Sequence, residues 1–182
     1  MATATSSYWR DANRVPIITL GVGVQVTKTF VGDSAAGIQV PLFRVTGSVL
    51  VNAIYGVCTV QFGADHTDAH FHINDQTAHD VIITKATTLT LNGISPGAMI
   101  LKTGLITAVA TYKTADAASM YEPTTLQTNI FTPFVVTQKT GGIRTDIEYV
   151  YTTSDAPTTG AMQFFAFYVP LSINGALAEI VT

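Results

Sequence analysis

Charge is scarce in this sequence. Only 12% of its 182 residues are charged, 9 basic against 12 acidic, and no basic run occurs. Proteins that bind nucleic acid carry a basic patch or stripe, because phosphate neutralisation supplies much of their affinity. Nucleic acid is therefore not an expected partner. Cysteine is almost absent as well. The single Cys58 cannot close an intrachain disulfide and lies in an apolar run, so it is expected to pack as a small hydrophobe, in keeping with folding in a reducing cytosol. Long hydrophobic stretches are missing too: residues 49–60 and 164–171 are too short, or too interrupted by Asn52 and Gly56, to span a bilayer. Residues 1–14 place Arg10, Asp11 and Arg14 where a signal peptide needs an apolar core. Membrane insertion and secretion by that route are not expected.

Apolar residues are plentiful. They make up 47% of the chain, and mean hydropathy is +0.35. Disordered chains are poor in apolar residues and rich in charge, so this one folds. Its length suits a single domain. So little charged surface cannot cover a lone globule, which points to part of the surface being an interface and to an oligomer.

Thr is the commonest residue, followed by Ala, Val and Ile, a β-branched bias that suits pleated strands better than helices. Val22, Val24 and Val26 alternate with polar or small residues, the period of a strand with one buried face. Residues 38–46 and 48–62 read as two strands around Gly47, the first made irregular by Pro41. Residues 63–80 read as a polar segment, followed by short strands at 81–84 and 87–91 and a turn at Asn92-Gly93. Residues 99–112 could line a helix through Leu101, Leu105 and Val109, but their threonines and Gly104 favour a strand; residues 115–120 could form one helical turn. The clearest hairpin signal joins 130–139 to 143–153 through Thr140-Gly141-Gly142, with Ile143, Thr145, Ile147, Tyr149 and Tyr151 on one face and Arg144, Asp146 and Glu148 on the other. In the aromatic run 162–171, Phe165, Phe167 and Val169 alternate against Phe164, Ala166 and Tyr168; with both faces apolar, both are expected to be covered, by a central position or by a subunit interface. The sequence predicts an all-β, antiparallel β-sandwich or jelly-roll-like single domain over 15–172, with an N-terminal arm at 1–14 and a C-terminal tail at 173–182.

All four histidines, His66, His70, His72 and His79, fall in one stretch with Asp65, Asp68, Asp75 and Asp80. On a strand, His70 and His72 would project from one face, a start for a zinc, nickel or copper site. Two ligands fall short of a coordination set, and the glutamate that a cupin places soon after such a pair is missing, the next one being Glu122. The segment is expected to be a solvated acidic loop whose histidines face water or cross-strand partners, with no metal and no cofactor, and a cupin-like metal-dependent protein is the outside alternative. Gly93-Ile-Ser-Pro-Gly97 matches the nucleophile-elbow pattern, but Pro96 lacks the backbone N–H that such an oxyanion hole needs. Gly21-Val-Gly23 continues into valine alternation rather than a helix and is no phosphate cradle. No catalytic function is expected.

Two blocks carry a resemblance. Gly37-Ile-Gln-Val-Pro-Leu-Phe-Arg-Val-Thr-Gly-Ser-Val-Leu-Val-Asn-Ala-Ile-Tyr-Gly-Val-Cys-Thr59 and Phe164-Phe-Ala-Phe-Tyr-Val-Pro-Leu-Ser172 resemble small structural proteins of tailed bacteriophages, of the head-decoration or cement kind that form trimers on the capsid lattice. The resemblance implies a homotrimer, made in the host bacterial cytoplasm, that binds the major capsid protein on the surface of the virion; a tail or head-fibre component is the alternative within that class. Partner contacts are expected from the chain ends, either the N-terminal arm, through Tyr8, Trp9, Arg10 and Arg14, or the mostly apolar segment 172–182.

Overall fold

The computed structural model describes residues 21–32, 37–63, 66–76, 81–84, 95–102, 111–113, 133–153, 155–156 and 158–181. Among these residues eleven strands follow one another: β1 (Val22–Thr29), β2 (Ile38–Thr46), β3 (Ser48–Val60), β4 (Thr67–Asn74), β5 (Val81–Ile82), β6 (Met99–Leu101), β7 (Thr111–Lys113), β8 (Phe134–Thr137), β9 (Asp146–Thr152), β10 (Ala161–Pro170) and β11 (Ala176–Glu179). Among the described residues there is no helix. One sheet has the order β1-β10-β3-β6-β7, with β8 also paired to β3; the other has the order β11-β2-β9-β4-β5. All pairings are antiparallel. The chain steps back and forth between the sheets, and the orders β1-β10-β3-β6 and β2-β9-β4-β5 are those of a jelly roll. The expected sandwich is what the chain forms.

Alternation builds the core. Val26, Val49, Val51, Ile54, Cys58, Ile100, Val136, Met162, Phe164, Ala166 and Tyr168 point inward from the six-stranded sheet, and Phe43, Val45, Ala69, Phe71, Ile147, Tyr149, Tyr151 and Leu177 from the five-stranded one. Phe30, just past β1, sits where both sheets reach it: its ring meets those of Tyr149 and Tyr151 edge-on at 5.8 and 5.4 Å and that of Phe164 at 6.4 Å. Cys58 packs in this core, as expected. Along one side the sandwich is closed by β1 and β11, which lie together, and Lys28 Nζ donates to the Ile180 carbonyl at 2.6 Å.

Several elements depart from the sequence reading. The hairpin signal at Thr140-Gly141-Gly142 marks a turn, but β8 belongs to the six-stranded sheet and pairs with β3, whereas β9 lies in the other sheet between β2 and β4. The glycines make a corner between layers; a turn signal is local and carries no information about which strand fills each edge. Residues 173–182 are not a loose tail, because β11 pairs with β2 through Ala176↔Thr46 to Glu179↔Phe43. Within 63–80, read as polar, β4 is an inner strand of its sheet. Pro41 does bring irregularity, as a register shift between Pro41 and Phe43. Residues 99–101 and 111–113 are strands, while 103–110, 115–120, 87–91 and Asn92-Gly93 lie outside the described residues. Ser95-Pro96-Gly97 is a turn, closed by Ala98 N–H to the Ser95 carbonyl.

Gly56 shows how tightly the layers meet, since a Cβ there would lie 2.8 Å from Phe164 Cε1. Gly56→Ala is expected to destabilise the protein by about 1–3 kcal/mol through overpacking. In a Phe164→Leu background the same change should cost less. Urea unfolding of the two single variants and the double variant measures this coupling, and strict additivity would count against the contact.

Candidate functional site

The four histidines part company in the fold. His66 is fully buried in the core, His70 and His72 lie on the outer face of β4, and His79 is outside the described residues. Strict alternation would put residues 66, 70 and 72 on one side. The register of β4 against β9 shifts between Thr67 and His70, and Asp68 takes φ +54°, a left-handed conformation that Asp tolerates better than most residues. The extra residue reverses the alternation, so that His66, Ala69 and Phe71 point inward while His70 and His72 point outward.

The outer face of the five-stranded sheet holds paired charges. Glu148 on β9 stands in register with His72, and their side chains meet at 2.8 Å between Nε2 and Oε2, both almost fully buried. Asn74 Nδ2 donates to Glu148 at 3.3 Å, and the His70 ring stands edge-on to that of His72 at 5.9 Å. His70 Nδ1 donates back to the Asp68 carbonyl at 2.6 Å. One residue pair along, the buried Asp146 carboxylate accepts from Arg44 Nε at 3.1 Å and from Arg144 Nε. Lys139 reaches Asp75 at 3.2 Å. The sequence placed Arg144, Asp146 and Glu148 opposite the core-facing residues, facing water or a polar partner, and so they are, with Asp146 and Glu148 buried among partners. The glutamate missing after the histidines in sequence arrives from a strand 76 residues away. Even so, among the described residues no group of three or more His, Cys, Asp or Glu side chains is placed to hold a metal ion, and His70 and His72 face away from the interior between the sheets. These contacts cross-link β2, β9 and β4.

His66 differs from the rest. Its ring stacks on Tyr151 at 3.9 Å with 9° between planes and lies 4.2 Å from Phe62, and neither ring nitrogen has a hydrogen-bond partner among the described residues. Burial pulls its pKa from 6.5 down to about 4. The neighbouring Tyr149 hydroxyl is also buried, with no partner among the described residues, and burial, reinforced by Tyr151 and Cys58, raises its pKa. Sequence reasoning grouped His66 with the acidic stretch because the reversal at Asp68 has no signature in the residue pattern.

The outer face of the six-stranded sheet is of another kind. Phe165 and Phe167 project outward between the inward Phe164, Ala166 and Tyr168, and Tyr55 of β3 stacks on both, at 5.0 Å (21°) and 6.4 Å (18°). Leu50 and Val57 on β3, Met99 on β6, Val135 on β8 and Val169 on β10 extend the apolar surface around this stack. The strand lies inside its sheet, between β1 and β3, one of the two settings expected for it, the other being a subunit interface. Tyr8, Trp9, Arg10 and Arg14 lie outside the described residues.

Two predictions follow from the buried polar groups. The unfolded chain takes up a proton at His66 near pH 6.5 while the folded chain refuses it until about pH 4, so stability falls as pH drops through that window. The loss totals about 3 kcal/mol at its acid end, and His66→Phe should remove this component; denaturant titrations between pH 7 and 4 measure it. Glu148→Ala takes a buried acceptor from His72 and is expected to cost about 1–3 kcal/mol, whereas Lys139→Ala, which breaks a more exposed pair, should cost under about 1 kcal/mol. Thermal unfolding of both variants gives the comparison.

No protein-family model, curated protein or solved structure matches this chain.

Proposed function

We propose that this chain is a structural subunit of a tailed-bacteriophage particle, a head-decoration or cement protein that works as a trimer on the capsid surface and binds the major capsid protein. The observation that carries the reading is the character of the sandwich's outer surface: one sheet face is a broad, uncharged, aromatic plane, and the ionic groups of the other face are spent on pairs within the chain. Such surfaces suit protein-to-protein packing, where aromatic residues are enriched and charge is depleted from the centre of contact. Low overall charge and positive mean hydropathy support the same reading. So do the two blocks that resemble decoration proteins, since both fall on strands at the centre of the fold: the first runs through β2 and β3, and the second is most of β10. Repeated weak contacts around a lattice add through multivalency, so a cement protein needs no catalytic step to hold neighbouring capsid subunits together.

Cosedimentation with assembled phage heads tests this. The full chain is expected to saturate heads at a fixed ratio and to raise the temperature at which they rupture; a chain that neither binds heads nor occurs in purified particles ends the proposal. Deleting residues 1–14, which removes Tyr8, Trp9, Arg10 and Arg14, should leave the sandwich folded but lower its occupancy on heads.

A further inference from the structure

We infer that the outer face of the six-stranded sheet is where copies of this chain meet one another, across a rotation axis that passes near the stack of Phe165, Tyr55 and Phe167. The inference deepens the structural-subunit reading and rests on it for the expectation of a trimer.

The first argument is electrostatic. On a symmetry axis every group faces its own copy, so a charged side chain there would meet a like charge at close range. Along β1, β10, β3, β6 and β8 the outward positions hold glycine, glutamine, asparagine, threonine, serine, alanine and apolar residues, and no Asp, Glu, Lys or Arg. The outer face of the other sheet bears Arg44, Asp146, Glu148 and His72, and could not be laid against itself so simply.

The second argument is size. Four strands abreast at about 4.8 Å span about 19 Å. The 10 residues of β10 run for about 33 Å at 3.3 Å each. The resulting footprint of about 600 Å² approaches the roughly 800 Å² that each partner gives to a standard stable interface. The third is texture. Phe165 and Phe167 are only part-exposed, because Phe165 stacks on the ring of Tyr55 and Phe167 lies over the bare Gly23, where a Cβ would come within 3.1 Å of its ring. Rings already held against their neighbours lose little freedom when a second copy packs on them, which keeps the entropic cost of association low.

Sedimentation velocity of the full chain at micromolar concentration is the test, on the wild type, Phe165→Glu, Gln25→Glu and Ile173→Glu. Gln25 is exposed on the same face in register with Phe165, and Ile173 is exposed in the turn before β11. The wild type and Ile173→Glu are expected at three times the 19.3 kDa of one chain, and both face variants at one chain with unchanged far-ultraviolet circular dichroism. Gln25→Glu alone decides the matter where Phe165→Glu does not fold. A monomeric wild type, or a Gln25→Glu protein that stays assembled, overturns the inference. Binding to phage heads is read separately. Face variants that stay assembled but no longer bind heads would give the face to the capsid, overturning the inference and leaving the cement reading intact. A wild type that assembles through this face but ignores heads would do the reverse.

Discussion

Phe30 touches rings from both sheets, and the way the layers close on it governs the other features of this molecule. A two-layer sandwich gives each strand one inward face, and the inward faces here meet through aromatic rings at 5–6 Å rather than through aliphatic side chains alone. Large rings leave little slack. Gly56 is bare because Phe164 fills the space its side chain would need, and His66 enters the core because a flat ring fits between Phe62 and Tyr151. In this setting a histidine is a stacking ring first and a titratable group second, and its shape is accommodated at the cost of two unsatisfied nitrogens.

Once the inward positions are taken, the outward ones are free to differ, and the two sheets use that freedom in opposite ways. The five-stranded sheet lays carboxylates on β9 between cations and a histidine from its neighbours, so that the charges bind strand to strand. The six-stranded sheet lays aromatic rings side by side and has nothing to neutralise. A protein whose task is to be packed against others gains from the second surface, and it needs the first to keep the sandwich from spreading at its other face.

How much of this was legible beforehand varies from element to element. The aromatic run 162–171 shows the two faces its alternation predicts, because period-two alternation survives wherever the backbone is regular. The break at Gly47 between strands 38–46 and 48–62 is equally plain, the second strand ending at Val60. The pairing of Thr140-Gly141-Gly142 was misread, since the same glycines serve a hairpin within one sheet or an arch between two. The inward turn of His66 was hidden by one left-handed residue, Asp68, and the link between His72 and Glu148 by a separation of 76 positions.

Composition and alternation thus determined on their own that the chain is β-structured, that it buries a single apolar core without disulfides, and that its surface is poor in charge. Those properties are sums or short-range patterns, and every residue contributes to them wherever it ends up. Which strands become neighbours, which histidine enters the core and which carboxylate it leaves outside were decided only by the tertiary structure. Strand pairing satisfies backbone hydrogen bonds equally well with many partners, and only the simultaneous packing of both layers around the rings at Phe30 selects one arrangement among them.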